Sequence, residues 1–126
     1  MNREIKFRGQ QINTKKWIHG YLYREKGLYL ICENIRYAEK EPILLDTVGQ
    51  FTGLHDKNGK EIYEGDIVKY RDSRGQHIEK VIFDKGCFYA GMHWGSSTRL
   101  APKLINTRIT EVIGNIYDNP ELLEGE

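Results

Sequence analysis

A chain of 126 residues, 29% of them charged and with a formal net charge of +1, has the size and composition of one compact domain, which excludes an extended disordered chain. No stretch approaches the roughly 20 apolar residues a helix needs to cross a bilayer, and residues 1–10 alternate charge with apolar side chains where a signal peptide would be continuously apolar. The expectation is a cytoplasmic protein with no membrane partner.

Taken in order, Ile5, Phe7 and Gly9 fall on one side of an extended segment and Glu4, Lys6 and Arg8 on the other, the period of two that a half-buried strand requires. The polar stretch 10–16 reads as a turn, and Trp17 to Tyr23 resumes with strong β formers, so a hairpin is the simplest pairing. Gly27 breaks the chain before Leu28 to Cys32, and Glu33-Asn34 breaks it before a further short strand, Ile35 to Ala38. Residues 38–41 suit one helical turn ended by Pro42, and Ile43 to Leu45 suit either a core-packed loop or a short strand. The densest turn chemistry follows between Phe51 and Tyr70. Asn58-Gly59 is the strongest hairpin cue in the chain, with the two residue types that a type I′ turn tolerates at positive φ, and Glu64-Gly65-Asp66 turns again into Ile67 to Tyr70. Residues 71–75 read as a loop, His77 to Phe83 as a strand, 84–86 as a hairpin turn, and Cys87 to Trp94 as a strand whose Gly91 marks a bulge. Ile109 to Tyr117 closes the β region. Asn119-Pro120-Glu121 then offers an N-cap, a proline at the first helical position and an acid in the first turn, which starts a short helix through Leu123.

The resulting architecture is mainly β: an N-terminal antiparallel region over residues 1–50, followed over 51–126 by an SH3-like small barrel with a short C-terminal helix, the whole acting as one cooperative unit. Closure into a barrel would remove the strand edges that invite aggregation.

Three stretches resemble the YopX family of bacteriophage and prophage proteins: Arg3 to Arg8, the run 47–68 (TVGQFTGLHDKNGKEIYEGDIV), and 111–122 (EVIGNIYDNPEL). The first is similar to the family's opening strand, the second to its signature and the third to its ending, so the anchors span the chain while 9–45 and 71–108 are less diagnostic. The resemblance implies a phage-derived protein inside a bacterial host cell that assembles as a homo-oligomer, and it implies no known activity and no catalytic residues. Thirteen glycines and many short β-branched runs leave little room for long helices.

The residue patterns that carry chemistry are weak. Asp56-Lys57-Asn58-Gly59 places glycine at the fourth position where a calcium loop needs it at the sixth, so a turn is preferred to a metal site. His19, His55, His77 and His93 form no pair at ligand spacing. Ser96 and Ser97 lie in no nucleophile elbow, and no glycine run has the form of a phosphate or dinucleotide loop. Carboxylates such as Glu61, Glu64, Asp66 and Asp84 read as solvated turn charges. Cys32 and Cys87 are too far apart for a CxxC motif and read as free, buried thiols. No catalytic, metal or cofactor site is expected.

Charge is unevenly spread. Residues 1–26 carry seven basic and two acidic groups (+5), 27–64 four and seven (−3), 65–108 eight and four (+4), and 109–126 none and five (−5). This alternation suits contacts between like subunits, whereas a polyanion normally selects a basic excess over a whole domain. The leading expectation is therefore a non-enzymatic, homo-oligomeric binding or assembly module. The alternative is a nucleic-acid-binding module that uses Lys15, Lys16 and Trp17 together with His93, Trp94 and Arg99, since aromatics stack on bases while cations follow phosphates. Asn58, Gly59 and Gly65 are expected to serve as structural turn residues.

Overall fold

The computed structural model describes residues 4–33, 40–84, 86–91 and 103–124. Within them the chain is mainly β, with eleven strands and two 3-10 turns, arranged in two compact units, Met1–Gly53 and Leu54–Glu126. Among the described residues no helix is long and apolar enough to cross a membrane.

In the first unit β1 (Phe7–Gln10), β2 (Trp17–Glu25), β3 (Leu28–Cys32), β4 (Glu41–Pro42) and β5 (Gly49–His55) are ordered β4-β3-β2-β1-β5, each neighbouring pair antiparallel. β1 lies between β2 and β5 in the sheet, and three of its four residues in succession are buried, so Arg8, assigned to a solvent face by its alternation, is buried instead. Its guanidinium lies 4.7 Å from the centre of the Trp17 ring, an attraction between cation and ring quadrupole that softens the cost of burying charge. Ile18, Ile31 and Ile43 form the core, with Phe7, Leu22, Tyr29 and Val48 packed around them. Pro42 sits in the edge strand β4, where its missing N–H breaks no ladder. The strand expected over Ile35 to Ala38, and most of the helical turn expected over 38–41, lie outside the described residues.

The type I′ geometry expected at Asn58-Gly59 occurs at Lys26-Gly27. Glu25 pairs with Leu28 across a two-residue loop whose φ values are +51° and +82°, matching the right-handed twist of the flanking strands. At Asn58 φ is not positive; only Gly59 is left-handed, at +86°. Gly59 N–H donates to the Asp56 carbonyl at 2.9 Å and Asp56 N–H to the Lys60 carbonyl at 2.7 Å, which is a three-residue loop ending in a left-handed glycine. The Asp56 carboxylate selects it by accepting the Asn58 and Lys60 N–H groups at 2.8 and 2.9 Å.

β5 carries the chain into the second unit, where β6 (Glu61–Tyr63), β7 (Asp66–Asp72), β8 (Gly75–Asp84), β9 (Cys87–Ala90), β10 (Lys103–Leu104) and β11 (Glu111–Asn115) follow. The antiparallel sheet β10-β9-β8-β7-β11 packs on a core of Ile62, Val68, Val81, Ala90 and Val112, with Leu54, Tyr70 and Ile105 against it. The loop expected over 71–75 shrinks to Ser73-Arg74, with Asp72 paired to Gly75 and the Asp72 carboxylate accepting the Arg74 N–H at 2.9 Å.

Two expectations are corrected here. The sheet is open: β10 and β11 stand at its opposite margins, and among the described residues no ladder joins them. A margin only two residues long and another interrupted by a bulge between Val112 and Gly114 offer no matched edges for the staggered pairing a barrel requires. In place of a C-terminal helix there is one 3-10 turn, Pro120–Leu123. Asn119 does not cap it, because its side-chain oxygen accepts the Asn115 N–H at 3.2 Å.

Candidate functional site

The second unit is framed by a carboxylate clamp. Asp56, 6% exposed, holds its own loop with Oδ1 and with Oδ2 accepts the N–H of Val112 at 2.9 Å, while Lys57 N–H donates to the Thr110 carbonyl at 2.9 Å. The loop after β5 is thereby tied to β11. Burial by itself raises the pKa of Asp56, but the N–H groups of Val112, Lys60 and Asn58 and the charge of Lys60 outweigh it and hold the carboxyl below the usual range. Asp66, read from the sequence as a solvated turn charge, is also buried, and its Oδ2 accepts the Tyr63 N–H at 2.7 Å across the turn at Gly65, whose φ is +93°. The Gly65 carbonyl accepts the Ile116 N–H at 2.9 Å. Asn115 Oδ1 accepts the N–H groups of Tyr117 and Asp118 at 2.9 and 2.8 Å.

Beside this clamp lies a groove of about 400 Å³ whose lining includes Lys57, Lys69, Tyr70, Arg71 and Arg108. Among the described residues four cations face one acid there: Glu111, opposite Lys69 in the ladder of β11 with β7. None of the four cationic side chains makes a hydrogen bond or salt bridge with another described residue. Tyr70 and Ile109 also line a second cavity of about 250 Å³, together with Asp72, Ile105, Asn106 and Thr110. The Tyr70 ring stacks on that of His77, with centroids 4.9 Å apart and an interplanar angle of 25°, and His77 Nε2 lies 2.8 Å from Asp72 Oδ1. Burial, then the charges of Glu79 and Asp72, raise the pKa of the Tyr70 hydroxyl against the opposing charge of Arg74. The phenol therefore stays protonated at neutral pH.

Of the residues expected to bind, Lys15 and Lys16 are exposed in the turn before β2, Lys15 at φ +63°. Trp17 is half-buried beside Arg8. His93, Trp94 and Arg99 lie outside the described residues. Asn58, Gly59 and Gly65 all stand in turns. The sequence reading missed Lys57, Lys69, Arg71 and Arg108 as a group. The alternation Lys69-Tyr70-Arg71 was a usable signal for part of it, but the approach of residues 57 and 108 depends on the clamp. The two cysteines are free, Cys32 buried but Cys87 exposed at the start of β9, not buried as expected. Among the described residues no three His, Cys, Asp or Glu side chains gather as metal ligands.

The chain is similar to the crystal structure of protein EF1440 from Enterococcus faecalis, at 23% sequence identity and a TM-score of 0.54, over 95% of this chain and 98% of that one; the likeness is one of fold. No curated protein matches the chain. The model of the YopX family, described as YopX protein, matches residues 3–124. In the second unit, the parts of its signature and ending that stand out in the sequence supply the clamp, with Asp56, Gly65 and Asp66 from one and Val112, Asn115 and Asn119 from the other. The chain belongs to the YopX family.

Proposed function

We propose that this protein is a non-enzymatic binding module of phage or prophage origin, working in the cytoplasm of a bacterial cell, and that its second unit holds the phosphate backbone of a nucleic acid. The observation that carries this is the groove in which Lys57, Lys69, Arg71 and Arg108 converge with no described carboxylate within salt-bridge distance. A net charge of +1 over the whole chain spoke against a polyanion, but phosphates respond to the local field, and a cleft lined by one sign of charge focuses it. The non-enzymatic reading is supported by the use of Asp56 and Asp66, whose carboxylates accept backbone N–H groups. The test is fluorescence anisotropy of a labelled oligonucleotide at low salt. Binding by the native chain, weakened at least tenfold in the Lys69→Glu/Arg71→Glu double variant, is expected; no binding by the native chain overturns the proposal.

A second reading, self-association, is favoured by the alternating charge of the chain and by the exposed apolar side chains Ile5, Tyr21, Leu28 and Leu45 of the first unit. Light scattering across a concentration series decides it: a mass that stays monomeric throughout removes it.

A further inference from the structure

The groove and the smaller cavity beside it share two walls, Tyr70 and Ile109. We infer that this cavity takes one unstacked nucleobase of a single strand whose phosphates lie along the cationic groove, an inference that rests on the function proposed above.

Size is the first argument. At about 250 Å³ the cavity falls below the roughly 300–1,000 Å³ of sites that hold drug-sized ligands, so it suits one flat ring system and not a stacked pair. The second is the lining: Ile105 and Ile109 are apolar and Tyr70 is aromatic, while Asp72, Asn106 and Thr110 add polar groups. Few convergent polar groups on an apolar wall is the pattern of a site that orients a small ligand. Asn106 Oδ1 already accepts the Arg108 N–H at 3.1 Å, and the Asn106 carbonyl accepts the Thr110 hydroxyl at 2.7 Å. The Asn106 amide NH2 is the donor left to face a base edge.

The third argument is that the aromatic wall is held in advance. Tyr70 is stacked on His77, and His77 is bonded to Asp72, so the ring is oriented before a ligand arrives. Little rotamer entropy remains to be lost on binding. Phosphate contacts alone would not distinguish single from double strands, but a cavity that must receive a base does, because a duplex keeps its bases stacked and paired.

Anisotropy with three labelled probes of equal length tests this: a single-stranded DNA, the same strand carrying abasic residues throughout, and a duplex. The single strand is expected to bind about tenfold more tightly than the abasic strand, the yield of stacking about one base, and more tightly than the duplex. Tyr70→Leu and, separately, Ile109→Ala at an exposed turn position are expected to bring the single strand down to the abasic level. Urea denaturation midpoints of the two variants, measured alongside, verify that they are folded. Equal affinity of the native chain for the base-bearing and abasic strands overturns the base cavity and leaves the groove standing. Failure of all three probes to bind at low salt overturns both.

Discussion

Asp56 is a single carboxylate that does three separate things: it shapes its loop through Asn58 N–H, closes that loop through Lys60 N–H, and reaches across to Val112 N–H. Hydrogen bonds to a charged group contribute about 1.5–3 kcal/mol each when one partner is removed from a buried site, and here they share one acceptor. Asp56→Asn keeps the shape but turns an NH2 group toward one of these donors, and it is expected to cost about 2–3 kcal/mol, read from urea denaturation midpoints. The pH dependence has a fixed sign. A carboxyl whose folded pKa is depressed stabilises the fold fully above its unfolded value of about 4, and that contribution is lost as pH falls through the folded value. The difference in stability between the native chain and Asp56→Asn is therefore expected to narrow on acidification below about pH 4; a difference that is constant from pH 7 to pH 2 would sink this account. The sequence marked Asp56 as a turn residue, since Asx turns are local. Its hold on Val112 was not legible, because nothing in the neighbourhood of residue 56 encodes a partner 56 positions away.

Among the elements, the strands were readable and the joints only partly so. β-branched and aromatic runs located β2, β3, β7, β8 and β9 because their alternation repeats within a few residues. Turn type depends on side-chain bonds that composition does not rank: Asn58-Gly59 has the stronger type I′ signature, yet the Asp56 carboxylate overrides it, while Lys26-Gly27 adopts that turn with a lysine at positive φ. The last strand is shorter than the predicted span Ile109 to Tyr117, because propensity does not register its bulge or the Asn115 loop that follows. Gly114 offers a direct probe of this ending. A Cβ added there would stand 2.6 Å from Asn119 Oδ1 and 3.0 Å from Leu122 Cδ1, so Gly114→Ala is expected to destabilise by about 1–3 kcal/mol, as overpacking does. Placing the same change in an Asn119→Ala background is expected to recover part of the loss, a coupling visible in a double-mutant cycle of denaturation midpoints; strict additivity would show that the two residues do not meet.

For the molecule as a whole, charge and connectivity matter more than any single contact. Regional charge was countable from the sequence, but its concentration into one groove was not, since Lys57, Lys69, Arg71 and Arg108 come from three separate places, the loop, β7 and the turn before β11. If those cations each neutralise one phosphate, the logarithm of the binding constant is expected to fall against the logarithm of salt concentration with a slope of about −3 for a single strand, measured by anisotropy titrations. A slope near zero would mean that the groove is not what binds. Because β5 runs unbroken from Gly49 to His55 and so belongs to both units, calorimetry is expected to show one unfolding transition with equal calorimetric and van't Hoff enthalpies. The reach of Asp56 to Val112 also sets a schedule for synthesis. By the time the ribosome has released residue 51, every partner in the ladders of β1, β2 and β3 has emerged, whereas the loop at Asp56 waits for a partner made 56 residues later before it can be sealed. A nascent chain thus carries one half able to close early and another that stays open until Val112 has been made.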